Sequence, residues 1–221
     1  MRVLAVDTTT PCGSLAVAGP EGILAEARVV AEGGHSRWLL PAVEAVLGGL
    51  GLAAGLLDAF ATTTGPGSFT GLRVGLGSVQ GLAVASGRPC VGLSTLDVLA
   101  LSAAGSSGTI VALLDAFRGE VYSGVYDSVG SLRGERSVGP LSLALEGLPA
   151  GAAFVGDAAH ASRDAIREAV RGAVFPEIGP FLAAPLALAA LRMAAAGRTV
   201  APAALRPIYL RNADIRKPRG R

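Results

Sequence analysis

Residues 61–87, ATTTGPGSFTGLRVGLGSVQGLAVASG, leave this chain few options. A run rich in β-branched residues at its end, 58–64, runs into Gly65-Pro66-Gly67, which punctuates the chain as a turn. Ser68 and Thr70 can each cap a helix, and apolar residues at helical spacing follow them. The unit reads as strand, glycine-rich turn, helix. It is not a G-x-x-x-x-G-K-[ST] loop: Gly67 to Leu72 misses the first interval, and the chain has one lysine, Lys217. It is not a G-x-S-x-G elbow either, because Pro66 and Thr70 stand where the glycines would be. Two readings of Gly65, Gly67 and Ser68 stay open. One is a tightly packed, capped helix start; the other is a set of backbone N–H groups presented to an anion.

The helix after this turn is apolar over too wide an arc. Leu72, Leu76, Val79 and Ala83 form a bulky stripe, and Gly71, Gly75, Ser78, Gly81 and Ala85 form a small one beside it. Together they span about 220°, where a surface helix needs only ~100° to cover a core. A second helix, expected over 35–50, is as wide, with Trp38, Leu39, Val43 and Val46 apolar and Arg37, Glu44 and Gly48 wet. Two such helices can bury one another or bury against another chain. The surface expected to meet a partner comprises His35, Trp38, Leu39, Val43, Val46, Gly71, Gly75 and Ser78.

The rest of the chain reads as α/β layers. Residues 3–7 form a strand ending in Asp7, 8–13 a turn, and 14–18 and 23–30 two more strands. Residues 88–93 read as a short buried strand and 94–104 as a helix. Gly105-Ser-Ser-Gly108 is the best linker, and beyond it the opening pattern returns: strand 109–115 ending in Asp115, turn, strand 121–126. This restart points to two similar domains, 1–104 and 109–221, with the C-terminal residues able to pack back on the first. A further strand near 132–138, a strand end at 154–157, a helix over 159–170 and an Ala-rich helix over 181–196 follow. Pro185 fits the first turn of the last.

Composition excludes several classes. With 51% hydrophobic residues the chain can build a sizeable core, and its net charge of +2 is too small to argue for nucleic acid. The basic excess is concentrated at 206–221. Cys12 and Cys90, with no C-x-x-C, fit reduced thiols of a cytosolic protein. No secretory leader is expected at the start, and no uninterrupted run reaches the roughly 18 apolar residues of a membrane span. The only histidines are His35 and His160, and there is no H-x-x-x-H or H-E-x-x-H, so a zinc site lacks its ligands. Asp7 beside a Thr-rich turn fits either a holder of metal-bound water near phosphates or a carboxylate satisfying loop N–H groups.

A resemblance runs through nearly the whole chain. VDTTT at 6–10, HSRWLLPAV at 35–43, TTGPGSFTGLRVG at 63–75, LSTLDVLA at 93–100, LLDAFRGEVYSGVYD at 113–127, VGDA at 155–158 and PIYLR at 207–211 resemble, in order, the motifs of the TsaB (YeaZ) family. Two departures stand out: Phe117 where the family usually has Arg, and Ala158 where it often has Gly. The resemblance implies a duplicated actin-like/sugar-kinase ATPase (ASKHA) fold. It implies a role in forming threonylcarbamoyladenosine beside the anticodon of tRNAs that read codons beginning with A. It implies a subunit with no catalytic residue and no metal of its own, partnered by a catalytic TsaD-like paralogue and a TsaE-like ATPase. The chain alone would bind no cofactor tightly, ATP being used by the complex; it would be a homodimer when alone and would meet tRNA only through the complex. The competing reading is a free-standing small-molecule kinase or ATPase of the same fold. Asp7, Thr8, Gly65, Gly67, Ser68 and Asp115 would then be its nucleotide site, which the first reading leaves vestigial.

Overall fold

Alternation along the first strands sorts bulky from small side chains. In β1 (Val3–Asp7) and β2 (Cys12–Gly19), Leu4, Val6, Leu15 and Val17 point to one side and Val3, Ala5, Ala16 and Ala18 to the other. The structure is a computed structural model describing residues 1–31 and 34–210. With β3 (Gly22–Val30), β4 (Ala59–Thr63) and β5 (Cys90–Leu93) these strands form a sheet in the order β3-β2-β1-β4-β5. The first three are antiparallel neighbours, and β4 and β5 extend the sheet in parallel.

The bulky face, joined by Phe60, takes helices α1 (Leu39–Gly49) and α2 (Phe69–Ser86). The small face, joined by Ala59 and Ala61, takes α7 (Ala183–Ala195), whose own inward residues include Ala183, Ala187 and Ala190. Alanine against alanine lets helix and sheet approach closely. The chain therefore returns to the first sheet at its end. The Ala183 N–H donates to Ser14 Oγ at 3.0 Å, Val200 pairs with Cys90 at the β5 edge, and the Gln80 amide donates to the carbonyls of Pro202 and Leu205.

The second sheet, in the order β8-β7-β6-β9, is built from β6 (Thr109–Asp115), β7 (Glu120–Asp127), β8 (Ser137–Pro140) and β9 (Ala153–Val155). Three antiparallel strands followed by a parallel one repeat the first sheet's β3-β2-β1-β4. Helices α4 (Leu141–Leu145), α5 (Asp157–Ala161) and α6 (Arg163–Ala169) cover its outer face around Val111, Leu113 and Phe154. Its inner face meets α3 (Thr95–Ser102), which packs in turn on α7, so both helices lie between the sheets in one shared core. A partly buried clamp fixes α3: Tyr126 Oη donates to Asp97 Oδ1 at 2.8 Å, and Arg136 grips the same carboxylate with two nitrogens at 2.6–3.0 Å.

Several sequence expectations shift. The helix expected over 35–50 is a 3-10 turn, His35–Arg37, then α1; Pro41 lacks an N–H and fits only a first helical turn, which sets the start at Leu39. The helix over 159–170 is two short ones meeting at Ser162. The strand near 132–138 moves to Ser137–Pro140, because Gly134 turns the chain at φ 80° and only Leu132 bridges back to Tyr126. Of PIYLR, Arg211 lies outside the described residues, as does most of the basic stretch 206–221. Among the described residues no helix is long and apolar enough to cross a membrane.

Candidate functional site: a cleft between two matching turns

Each half brings a strand–Asp–turn–strand unit to the same cleft. In the first, α2 packs its small residues on the turn after β1. Thr8 Oγ1 donates to the Gly71 carbonyl at 2.8 Å, and the Ser68 N–H donates to the Thr9 carbonyl at 2.7 Å. A Cβ on Gly71 would sit 2.0 Å from the Thr8 carbonyl oxygen, and one on Gly75 would sit 2.4 Å from Thr8 Oγ1. Gly67, at φ 154°, has room for no side chain beside Thr9. Ser68 caps α2 as its sequence position suggests, accepting from the Gly71 N–H at 3.3 Å. Gly65 lies behind, against the Ile208 carbonyl and Leu72.

The second unit is more open. Asp115 ends β6 exposed and accepts from the Phe117 N–H at 2.8 Å, while its own N–H donates to Asp157 Oδ1 at 3.0 Å. Asp157 also takes the Ala158 N–H at 2.7 Å. Burial, with the nearby Asp115 charge, raises the Asp157 carboxyl above its ordinary range, and these backbone donors oppose the rise. Phe117, Arg118 and Gly119 follow with φ of 59°, 58° and 77°, and Phe117 is two-thirds exposed.

Between the turns lies a cavity of about 360 Å³ walled by Thr9, Thr10, His35, Gly67, Ser68, Thr70, Asp115 and Asp157. A neighbouring cavity of about 520 Å³ shares Thr10, Pro11, Leu114 and Asp157 with it. Leu99, Val155, Ile178 and Leu182 make the second largely apolar, and Cys12 and His160 also face it.

Of the residues expected at a nucleotide site, Gly67, Ser68 and Asp115 line this cavity, the first two from one turn and the third from the other; Asp7, Thr8 and Gly65 do not line it. Asp7 is wholly buried. Its Oδ1 accepts from Thr63 Oγ1 and Thr9 Oγ1, each at 2.6 Å, and from the Thr9 N–H at 3.2 Å; Oδ2 is buried with no partner among the described residues. Burial raises its carboxyl above the ordinary range, against the pull of the two threonines. Of the two roles open to Asp7, the geometry is that of a carboxylate satisfying its own loop. Among the described residues, no group of three or more His, Cys, Asp or Glu could hold a metal ion.

The expected partner surface needs correction. His35, Leu39, Val43, Gly71 and Gly75 are buried in the chain's own core, and Trp38 and Val46 are half-buried against it. His35 is a tie within the fold. The Trp38 indole N–H can only donate, so His35 Nδ1 accepts it at 3.1 Å, and His35 Nε2 donates to the Thr10 carbonyl at 2.9 Å. Of that set only Ser78 faces the shallow groove between α1 and α2, with Leu40, Gly77, Gly81, Leu82 and Ala85.

The family model for tRNA N6-adenosine threonylcarbamoyltransferase (TsaD) matches residues 24–178. The tRNA threonylcarbamoyladenosine biosynthesis protein TsaB of Escherichia coli is 34% identical over 96% of this chain and 95% of its own. This chain belongs to the TsaB (YeaZ) family. The solved YeaZ of Pseudomonas aeruginosa agrees in shape, with a TM-score of 0.78 at 31% identity over 95% of this chain and 99% of that one. At the level of fold alone, the polyphosphate/ATP-glucomannokinase of an Arthrobacter strain aligns at a TM-score of 0.50 and 14% identity, over 88% of this chain and 99% of its own. The duplicated sheets are those of the actin-like/sugar-kinase fold. As a TsaB-family protein the chain has its general role in threonylcarbamoyladenosine biosynthesis.

Sequence reasoning missed Asp157, Thr70 and Leu114 as cleft residues. The duplication held the signal for Asp157: VGDA at 155–158 follows β9 as Thr64–Ser68 follows β4, so both should open a helix on the cleft.

Proposed function

We propose that this TsaB-family chain is a non-catalytic scaffold. It would activate a catalytic TsaD-like paralogue in a cytoplasmic complex that a TsaE-like ATPase completes and that uses ATP, meeting tRNA through that complex. The observation that carries the reading is Asp7. Its Oδ1 is held by Thr9 and Thr63, and the whole side chain is buried behind the cleft and does not line the cavity where a phosphate-bound metal would sit. This geometry argues against the free-standing kinase, which needs both strand-end aspartates at its nucleotide.

The face offered to the paralogue, and to a second copy when the chain is alone, is the α1–α2 groove. Gly77 and Gly81 stand exposed in the middle of α2, and among the described residues nothing beyond the helix's own backbone lies within 4 Å of where a Cβ would sit. Mid-helix glycine costs about 1 kcal/mol relative to alanine, which is offset where another backbone comes close. Leu40, half-exposed, and Val84, more exposed still, add apolar surface along the same pair of helices.

The test is depletion followed by nucleoside analysis of total tRNA. Loss of the modified adenosine, restored by the wild-type chain, is the expected result; unchanged levels would sink the role. Copurification with the paralogue, without nucleotide binding by the isolated chain at micromolar concentration, separates scaffold from kinase.

A further inference from the structure

We infer that the apolar cavity between α5 and the segment 176–182 is a binding site for a small molecule with an apolar body and a cationic head, an amine or amidine, whose charge meets Asp157 at the cavity's neck. The inference is independent of the scaffold reading and goes beyond it, because it gives this chain a ligand of its own.

The cavity has the size and lining of a ligand site. Its volume of about 520 Å³ falls in the range of roughly 300–1,000 Å³ that small-molecule sites occupy, mostly apolar with a few fixed polar groups. Leu99, Leu114, Val155 and Leu182 reach its wall, yet each is at most 5% exposed. All four belong to the cluster between the sheets, so the wall is the rim of the shared core. The opposite side is stiff. Pro176 and Pro180 fix φ along the crossing segment. A Cβ on Gly156, at φ 105°, would sit 2.0 Å from the Leu113 carbonyl oxygen, so the chain entering α5 is held close against β6. A site formed in advance in this way spares a ligand the cost of ordering it.

Charge selects the head group. Asp157 stands where this cavity joins the polar one between the turns, and Asp115 lines that neighbour. Among the described residues no lysine or arginine lines either cavity. A phosphate or carboxylate would therefore meet two acids, whereas a cation meets its complement. Asp157 is set to receive it. Its backbone donors, the Asp115 and Ala158 N–H groups, both take Oδ1, and a carboxylate has about four acceptor sites, so capacity remains for a ligand. Burial and the Asp115 charge disfavour the ionised form of Asp157, and a bound cation would relieve both.

Three probes that share one ring and differ in the head group test this: benzamidine, benzamide and benzoate. Each is titrated into the isotope-labelled full chain at neutral pH and followed by heteronuclear NMR. Benzamidine should shift the amides of Ala158, His160 and Ile178. It should bind about ten-fold more tightly than either other probe, the scale of one hydrogen bond between charged groups. Asp157→Asn keeps an oxygen for both N–H donors and should erase that preference, with the rest of the spectrum unchanged. The inference is overturned if benzamidine leaves these amides unmoved or shifts a different surface. It is also overturned if benzamide binds as tightly, which would leave an apolar cavity without a charge preference, or if benzoate binds best, which would make His160 the partner. Retention of the preference in Asp157→Asn would overturn it as well.

Discussion

Asp7 and Asp115 end matching strands, and the residues after them decide their fates. Thr8 and Thr9 follow Asp7, and Thr63 lies across the parallel pairing with β4, so hydroxyls close over the carboxylate. Ala116 and Phe117 follow Asp115 with no side-chain donor, and it stays open. Because burial raises the folded Asp7 carboxyl above its unfolded value, the fold holds that proton more tightly than the unfolded chain does. Its contribution to stability is therefore fully present below about pH 3.8, the unfolded value, and declines as pH rises toward the folded one. Asp7→Asn keeps an oxygen for both threonines and removes the titration. Thermal melts should show the variant gaining on wild type between pH 4 and pH 7, and a constant difference would refute the assignment. Asp7→Ala should instead destabilise at every pH by about 1–3 kcal/mol, because two buried hydroxyls lose their acceptor. The same scale shows what sequence could not give. The small stripe of α2 was legible, but a helical wheel does not say whether Gly71 and Gly75 face a partner helix or the chain's own loop. They face Thr8, so Gly75→Leu should leave no folded chain whose assembly could be assayed, as loss of the cooperative melt would record.

At the scale of elements, the excess apolar arc of α1 and α2 divides between the first sheet and an outer groove. Leu39, Val43 and Leu47 on α1, and Leu72, Leu76, Val79 and Ala83 on α2, account for the sheet side. What remains outside is Leu40, Gly77, Ser78, Gly81, Leu82 and Ala85. Periodicity made the width of the arc readable; which edge was surplus depended on where the sheet lay, and no local pattern carries that. Substitutions that test association therefore belong on the outer residues, not on the buried Leu39 and Gly75. Leu40→Glu places a charge in the proposed interface, and Gly81→Leu fills a space that is open in the single chain. Each should weaken self-association or paralogue capture by roughly ten- to hundred-fold, about 1.4–2.8 kcal/mol. The melting temperature should hold, and Gly81→Leu should even gain helix propensity. Analytical ultracentrifugation beside a melt reads both, and a wild-type sedimentation profile for both variants would move the interface elsewhere.

For the whole molecule, the repeated strand–Asp–turn–strand was enough to read two similar halves, and the two sheets bear out that repeat. The halves are nonetheless not independent bodies. Val3, Ala5 and Ala61 of the first sheet and Ile110, Ala112 and Val155 of the second belong to one buried cluster, with α3 and α7 filling the space between. A helix late in sequence thus completes the first sheet's core while packing on α3, which covers the second, a connection with no signature in a linear reading beyond the alanine content of 181–196. Separating the sheets would expose this whole cluster at once. The chain should therefore unfold in urea in a single transition. The fluorescence of Trp38, the only tryptophan and set in the first half, should coincide with far-ultraviolet circular dichroism from both. Leu186 is fully buried in that shared layer, and Leu186→Ala should cost about 2–5 kcal/mol. It should move both signals to the same lower midpoint. Two resolved transitions, with Leu186→Ala shifting only the one reported by Trp38, would mean that α7 serves the first sheet alone and that the cleft is free to open.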